Sequence, residues 1–170
     1  MKKVLIIGGN GSGKTTLAKE LAKITSLPLV HLDTLYWTEG WVPREREEFL
    51  RLVQNELEKP AWILDGNMRR TLETRLKYAD TVIYLDFSGI SCFFGAIKRL
   101  FQNYGKTRAD MGANCPETLN KREIKFIFST LSFNKKNRRF FYDVVNKADG
   151  VKLIVLKNRR QVKRFIKSLK

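Results

Sequence analysis

The run Val4-Leu5-Ile6-Ile7-Gly8-Gly9-Asn10-Gly11-Ser12-Gly13-Lys14-Thr15-Thr16 passes from an apolar, β-branched tetrad into a glycine-rich turn and then into a helix-forming segment. A continuous apolar run of this length reads as a strand buried on both faces of a parallel sheet. Leu17, Ala18, Leu21, Ala22 and Ile24 then recur at helical spacing, predicting an amphipathic helix over 14–25. Between the two, Gly8 to Thr15 matches G-x-x-x-x-G-K-[ST] in full. Glycines at these positions let successive backbone N–H groups turn toward one anion, and the following helix adds the positive end of its dipole. The amides of Gly9, Asn10, Gly11, Ser12 and Gly13 are expected to hold a triphosphate tail. Lys14 is expected at the β- and γ-phosphates, the Thr15 hydroxyl at magnesium, and Thr16 at the α-phosphate.

Outward from this loop the chain keeps alternating. Leu29–Leu32, Ala61–Leu64, Thr81–Leu85 and Lys152–Leu156 read as four more short strands. Residues 44–58, Ile90–Phe101, Lys121–Leu131 and Gln161–Leu169 read as helices, and 103–120 reads as a polar, glycine-containing irregular segment. Strands alternating with helices predict an α/β sandwich around a mostly parallel sheet. With 170 residues, no repeat and no linker-like tract, the chain is read as a single domain over 1–170.

Composition narrows the function classes. Hydrophobic residues make up 43% of the chain, which excludes global disorder, and no apolar run approaches the ~20 residues of a spanning helix. The expectation is a cytoplasmic protein with no membrane partner. Two cysteines outside any CxxC and a single histidine, His31, leave no zinc site of usual spacing. The net charge of +16 is unevenly spread: residues 1–97 hold 13 Lys+Arg against 12 Asp+Glu, whereas 98–170 hold 20 against 5. A basic second half attracts polyanions, nucleic acid among them, although it is equally the mark of a solvated lysine-rich surface.

Several stretches carry a family likeness: the loop, His31-Leu32-Asp33-Thr34-Leu35-Tyr36-Trp37, Gly40-Trp41-Val42-Pro43, Trp62-Ile63-Leu64-Asp65-Gly66-Asn67, and Thr107-Arg108-Ala109-Asp110-Met111 through Cys115-Pro116-Glu117. Together they resemble the bacterial proteins labelled "DNA topology modulation protein", which are similar to the adenylate-kinase-like branch of P-loop proteins. The resemblance implies a P-loop NTPase three-layer sandwich. Its five-stranded parallel sheet would have the order 2-3-1-4-5, with a lid insertion at about 99–139. It also implies ATP and Mg2+ as cofactors. Ile63-Leu64-Asp65-Gly66 looks like the corresponding adenylate-kinase sequence, which makes Asp65, with Thr15, the metal-side pair, and leaves Asp86 as a cap for the next helix.

The same likeness distributes the remaining candidates. Asp33 falls where such kinases meet the phosphate acceptor, as a proton acceptor or as a helix cap. Tyr36, Trp37 and Trp41 form either a stacking wall or core. Asn67, Arg69 and Arg75 are the acceptor-side polar set. Arg99 and Arg138, with Arg139, are the cations expected to close over the transferred group, since spread negative charge needs positioned cations. Asn158 and Arg159 fall where this branch packs its adenine. The chain departs from adenylate kinases in having Asn67-Met68-Arg69 after Asp-Gly, and in lacking a four-cysteine lid, so AMP specificity is not implied. The expected activity is an ATP- and Mg-dependent phosphotransferase acting on a nucleotide, nucleoside or other small-molecule acceptor. The alternative is an ATP-binding protein of nucleic acid that modulates DNA topology, or a kinase of nucleic-acid ends.

Overall fold

The computed structural model describes residues 1–170. Five strands form one sheet: β1 (Lys3–Gly8), β2 (Leu29–His31), β5 (Trp62–Asp65), β6 (Thr81–Leu85) and β7 (Lys152–Leu156). A two-stranded hairpin is made by β3 (Trp37–Thr38) and β4 (Val42–Pro43). The helices are α1 (Lys14–Thr25), α2 (Leu32–Tyr36), α3 (Arg46–Leu57), α4 (Arg69–Leu76), α5 (Gly89–Asn103), α6 (Lys121–Asn146) and α7 (Arg159–Lys167).

The large sheet is parallel throughout, in the order β2-β5-β1-β6-β7, which is the expected 2-3-1-4-5 in strand order. Each strand is connected to the next by a helical crossover, so both faces are covered. On one face Leu5, Ile7, Trp62, Leu64, Val82 and Tyr84 pack against α3, α4 and the C-terminal half of α6. On the other, Val4, Ile6, Ile63, Ile83 and Leu85 pack against α1 and α7. Alternate residues of the same apolar strand thus serve two cores, which is why these strands show no polar alternation.

The pairing of β1 with β5 sets Ile6 opposite Asp65, and that of β2 with β5 sets His31 opposite Asp65. The carboxyl ends of β1, β2 and β5 therefore bring three loops to one edge of the sheet, where ligands of open parallel sheets bind.

Some elements depart from the expected ones. Residues 69–76 form a helix that the apolar pattern does not announce, because Leu72 and Leu76 are its only apolar residues and the other inward ones are Thr71 and Arg75. The helix from Lys121 continues past Leu131 to Asn146. Its inward face there carries the buried Asn134 and Asn137: Asn134 donates to the Phe87 carbonyl while its Oδ1 has no partner, and Asn137 donates to the Phe133 carbonyl and accepts from Arg69. Polar residues on an inward face break the hydrophobic periodicity while the helix goes on. Position 139, the expected end of the insertion, lies within this continuous helix.

Asp86 is not a helix cap. Ser88 caps α5 by accepting from the Ser91 amide, and Asp86 instead accepts from Arg138 Nε at 2.9 Å and from the Tyr142 hydroxyl at 3.3 Å.

Candidate active site

The loop between β1 and α1 holds its shape through positive φ angles at Gly11 (81°) and Gly13 (94°), which L side chains rarely adopt. At Gly11 there is also no room: a Cβ would sit 2.1 Å from the Cys92 carbonyl oxygen of α5. Helix α5 reciprocates, since a Cβ on Gly95 would stand 2.0 Å from the Gly11 carbonyl. Loop and helix touch backbone to backbone. Lys14 reaches over the loop, donating to the carbonyls of Gly8 at 3.1 Å and Gly9 at 3.2 Å. Burial lowers its pKa, against the raising influence of Asp65 and Asp33. Asn67 clamps the start of the loop from the neighbouring strand end, accepting from the Gly8 amide at 3.0 Å and donating to its carbonyl at 2.8 Å.

Thr15 and Asp65 meet as the sequence suggests. The Thr15 hydroxyl donates to Asp65 Oδ2 at 2.8 Å, and His31 Nδ1 lies 3.1 Å from the same oxygen. Asp65 Oδ1 and Ser12 Oγ are buried polar atoms with no partner. A hydroxyl, a carboxylate and an orphaned carboxylate oxygen beside a phosphate-type loop suit a hard divalent cation that keeps most of its water and takes phosphate oxygens. No group of three His, Cys, Asp or Glu is gathered as a metal cage.

Around this floor lies a cavity of about 1230 Å³. Asp33, on the first turn of α2, faces Lys14 across it, and burial raises its pKa, with Lys14 and Arg108 pulling the other way. Trp37 and Trp41 of the hairpin form a further wall, ring centroids 5.6 Å apart at a steep angle. Both Trp41 (φ 64°) and Met68 (φ 24°) adopt left-handed backbone, and both line the cavity. Such strain costs about 1–3 kcal/mol per residue and collects where the surrounding structure fixes a site.

The segment 104–120 closes the cavity from above. It is fastened to the hairpin by bonds from the Gly40 amide to the Asn114 carbonyl (3.1 Å) and from Trp41 Nε1 to the Pro116 carbonyl (3.1 Å). Beneath it, Arg108 approaches Asp110 Oδ2 at 2.6 Å and Glu117 Oε1 at 2.8 Å, while Arg99 reaches Glu117 and Glu123, each at 3.4 Å. Arg122 of α6 lies over the rings of both Trp37 and Trp41, at 5.3 and 5.7 Å. Eleven lysines and arginines against five carboxylates line the cavity, so its interior is cationic.

The sequence-derived candidates divide cleanly. Asn10, Gly11, Ser12, Gly13, Lys14, Thr15, Thr16, Asp33, Trp37, Trp41, Asp65, Asn67, Arg99 and Arg159 all line the cavity. Arg75 does not. It is fully buried, and it donates to the carbonyls of Gly66 (3.0 Å), Asn67 and Met68 (3.2 Å), with desolvation lowering its pKa to about 9. Its place is behind the loop it braces, because three carbonyls left open by a strained turn need a multivalent donor.

Arg69 also turns away, bonding Asn137 Oδ1 at 2.9 Å and stacking over Phe140. Arg138 pairs with Asp86 outside the cavity, and Arg139 is exposed beside Asp143. Tyr36 packs edge-on against Phe49 within the core, and Asn158 caps α7 by accepting from the Gln161 amide. Arg108, Asp110, Arg122 and Glu123 were missed as site residues. Arg108 and Asp110 lie in the quoted Thr107–Met111 stretch, whose paired opposite charges were the available signal.

Comparison with known proteins supports the nucleotide-binding half of the chain and the fold of the whole. A family model described as "ATPase family associated with various cellular activities (AAA)" matches residues 4–86. The ATP-dependent protease ATPase subunit HslU of Helicobacter pylori (strain Shi470) is 43% identical over 58 residues, or 33% of this chain and 13% of that protein. The HslU subunit of Enterococcus faecalis (strain ATCC 700802 / V583) is 42% identical over 59 residues, again 13% of its length. The chain thus spans about an eighth of the curated relatives it matches, 13% of each.

Among solved structures, the shikimate kinase of Acinetobacter baumannii in complex with shikimate aligns over 99% of this chain and 90% of its own, with a TM-score of 0.61 at 15% identity. The shikimate kinase of Bacteroides thetaiotaomicron (TM-score 0.53, 17% identity, 98% of this chain and 94% of its own) has the same architecture. So has a kinase-like protein of Chloroflexus aurantiacus J-10-fl (0.55, 17%, 99% and 96%). The chain shares with these structures an α/β fold built on a five-stranded parallel sheet.

Proposed function

We propose that the chain is an ATP- and magnesium-dependent phosphotransferase acting on a small-molecule or nucleotide acceptor. The observation that carries this reading is the opposition, across one cationic cavity, of Lys14 with the Thr15–Asp65 pair and Asp33 with the Trp37–Trp41 wall. In it, the loop amides and Lys14 hold the triphosphate tail. Thr15 and Asp65 would hold the magnesium, which supplies charge neutralisation to the β- and γ-phosphates. Asp33 accepts the proton of the acceptor hydroxyl as its oxygen bonds the γ-phosphorus and the bond to the β-bridging oxygen breaks, releasing ADP. Arg99 and Arg108, held over the cavity by Glu117, Glu123 and Asp110, stabilise the charge spread over the moving group.

Residues 1–170 then act as one kinase-like domain, with 104–120 and the flanking helix ends as the lid that excludes water. Arg159, beside Gly95 on α5, is the candidate adenine-side contact.

A nucleic-acid reading has its own support. Lys135, Lys136, Arg138 and Arg139 stand exposed on α6, while Lys163 and Lys167 line the cavity mouth. A kinase of nucleic-acid ends would use both groups. The test is a transfer screen with γ-labelled ATP against small alcohols, nucleosides, nucleotides and oligonucleotides, with Lys14→Ala as control. Label transferred to a soluble acceptor, and lost in the variant, is expected. Transfer to none of them, with salt-sensitive binding of DNA, would replace the enzyme by the binding protein.

A further inference from the structure

Helices α5 and α6 form an antiparallel hairpin whose inner side packs around Ala96, Leu100 and Ile127. Its outer side is also apolar. Ile90, Phe94 and Phe101 on α5, and Ile124, Phe128 and Leu131 on α6, are between 42% and 77% exposed. The stripes are contiguous: Phe93 contacts both Phe94 (5.6 Å) and Phe128 (5.5 Å), and Gly89 lies directly on the backbone of Leu131. The α6 stripe steps by four and three residues and the α5 stripe by four and seven, spacings that keep each stripe on one seam of its helix.

From this we infer that the chain pairs with a second copy of itself through the α5–α6 hairpin, closing a four-helix arrangement. Two antiparallel helices with a common seam are half of a four-helix bundle, and a second identical hairpin supplies the other half by two-fold symmetry. The area fits. At 150–250 Å² for a free aromatic side chain, the three phenylalanines and three aliphatics expose roughly 600 Å² of side chain per copy. Roughly 800 Å² per partner is the size of a standard stable interface once rim residues are included.

Beside this seam Lys121, Lys125 and Lys135 are exposed on α6, and Glu123 is turned to Arg99. The lysines' four-carbon stems can lie along the seam with the ammonium groups at its rim, where they repel one another across the two-fold axis. Screening relieves that repulsion, so self-association strengthens as salt rises. A polyanionic partner seated on the same face would behave in the opposite way.

The experiment is sedimentation equilibrium of the full chain at low and high ionic strength, with Phe101→Glu and Phe94→Ser/Phe128→Ser variants checked for native helicity by circular dichroism. A mass twice the 19.8 kDa of the chain is expected, with a dissociation constant that falls on adding salt. Both variants should weaken it by ~100-fold or more, as loss of central anchors does. Phe101, 77% exposed, carries the test if the double variant does not fold. A monomer at all salt concentrations overturns the proposal. So does a dimer that the variants leave intact, or hairpin-dependent binding to DNA or anionic vesicles without self-association. None of these outcomes bears on the phosphotransfer reading, which is read from label transfer.

Discussion

Lys14 is half-buried, bonded to two carbonyls of its own loop, and flanked by Asp33 and Asp65. Desolvation disfavours its charge and the carboxylates restore part of it, so the group is poised to gain most from an anion brought close. Lys14→Ala is therefore expected to cut phosphoryl transfer by at least ~10²–10³-fold, read as kcat/KM, with the fold intact. Asp33 has the opposite bias. Its carboxyl is held above its ordinary value near 3.8, chiefly by burial.

The free energy of burying that charge opposes folding above the raised pKa, and it vanishes below the unfolded-state value, where both states are protonated. Asp33→Asn should accordingly raise the urea midpoint at neutral pH, lose that advantage in acid, and abolish transfer to a hydroxyl acceptor. In the wild type the rate should fall as pH drops through the raised value, so the acid limb lies above the usual carboxylate range. Arg75 shows the limit of reading single residues. As an arginine downstream of the third sheet strand it looks like a substrate contact, but it is spent on three backbone carbonyls. Arg75→Ala should cost about 3 kcal/mol in denaturant melts, by leaving buried carbonyls unpaired.

At the scale of elements, the contact between the glycine-rich loop and α5 is constrained from both sides. Gly→Ala within a helix ordinarily stabilises by roughly 0.5–1 kcal/mol. Gly95→Ala should do the reverse, because its methyl would meet the Gly11 carbonyl at 2.0 Å with backbone on both sides. We expect a lowered melting temperature and weakened nucleotide binding from this one methyl group.

The closing segment depends on charge in a similar way. Glu117 is 2% exposed, and Arg99 and Arg108 are the cations that face it. Removing one partner of a buried pair costs about 3–5 kcal/mol, more than most local contacts can absorb. Arg108→Met should therefore open 104–120 to limited proteolysis while the sheet stays folded. Cleavage no faster than in the wild type would show that the hairpin contacts of Trp41 suffice.

Across the whole molecule, the sheet was legible because its strands are short apolar runs ending at functional loops, and the strand-loop-helix at 4–25 fixes where it begins. The lower half of the site was legible for the same reason: Lys14, Thr15 and Asp65 occupy positions dictated by the loop and the adjacent strand end. The upper half was less so. Arg108 enters the cavity from an irregular segment and Arg122 from the polar first turn of α6, while Arg69 and Arg138 are drawn away by Asn137 and Asp86, partners distant in sequence. An arginine's destination depends on which carboxylate or carbonyl lies within its reach, and spacing along the chain does not encode that.

Every step of the proposed transfer requires one pocket to bind a magnesium–triphosphate complex. Isothermal titration of the wild-type chain with ATP, in the presence of magnesium and after its chelation, tests this most directly. One site per chain with affinity in the micromolar range is expected. Binding should be weakened by at least ~10-fold without magnesium or with Thr15→Val, and lost in Lys14→Ala. Absence of binding heat across calorimetry temperatures, or binding that Lys14→Ala leaves unchanged, would contradict it.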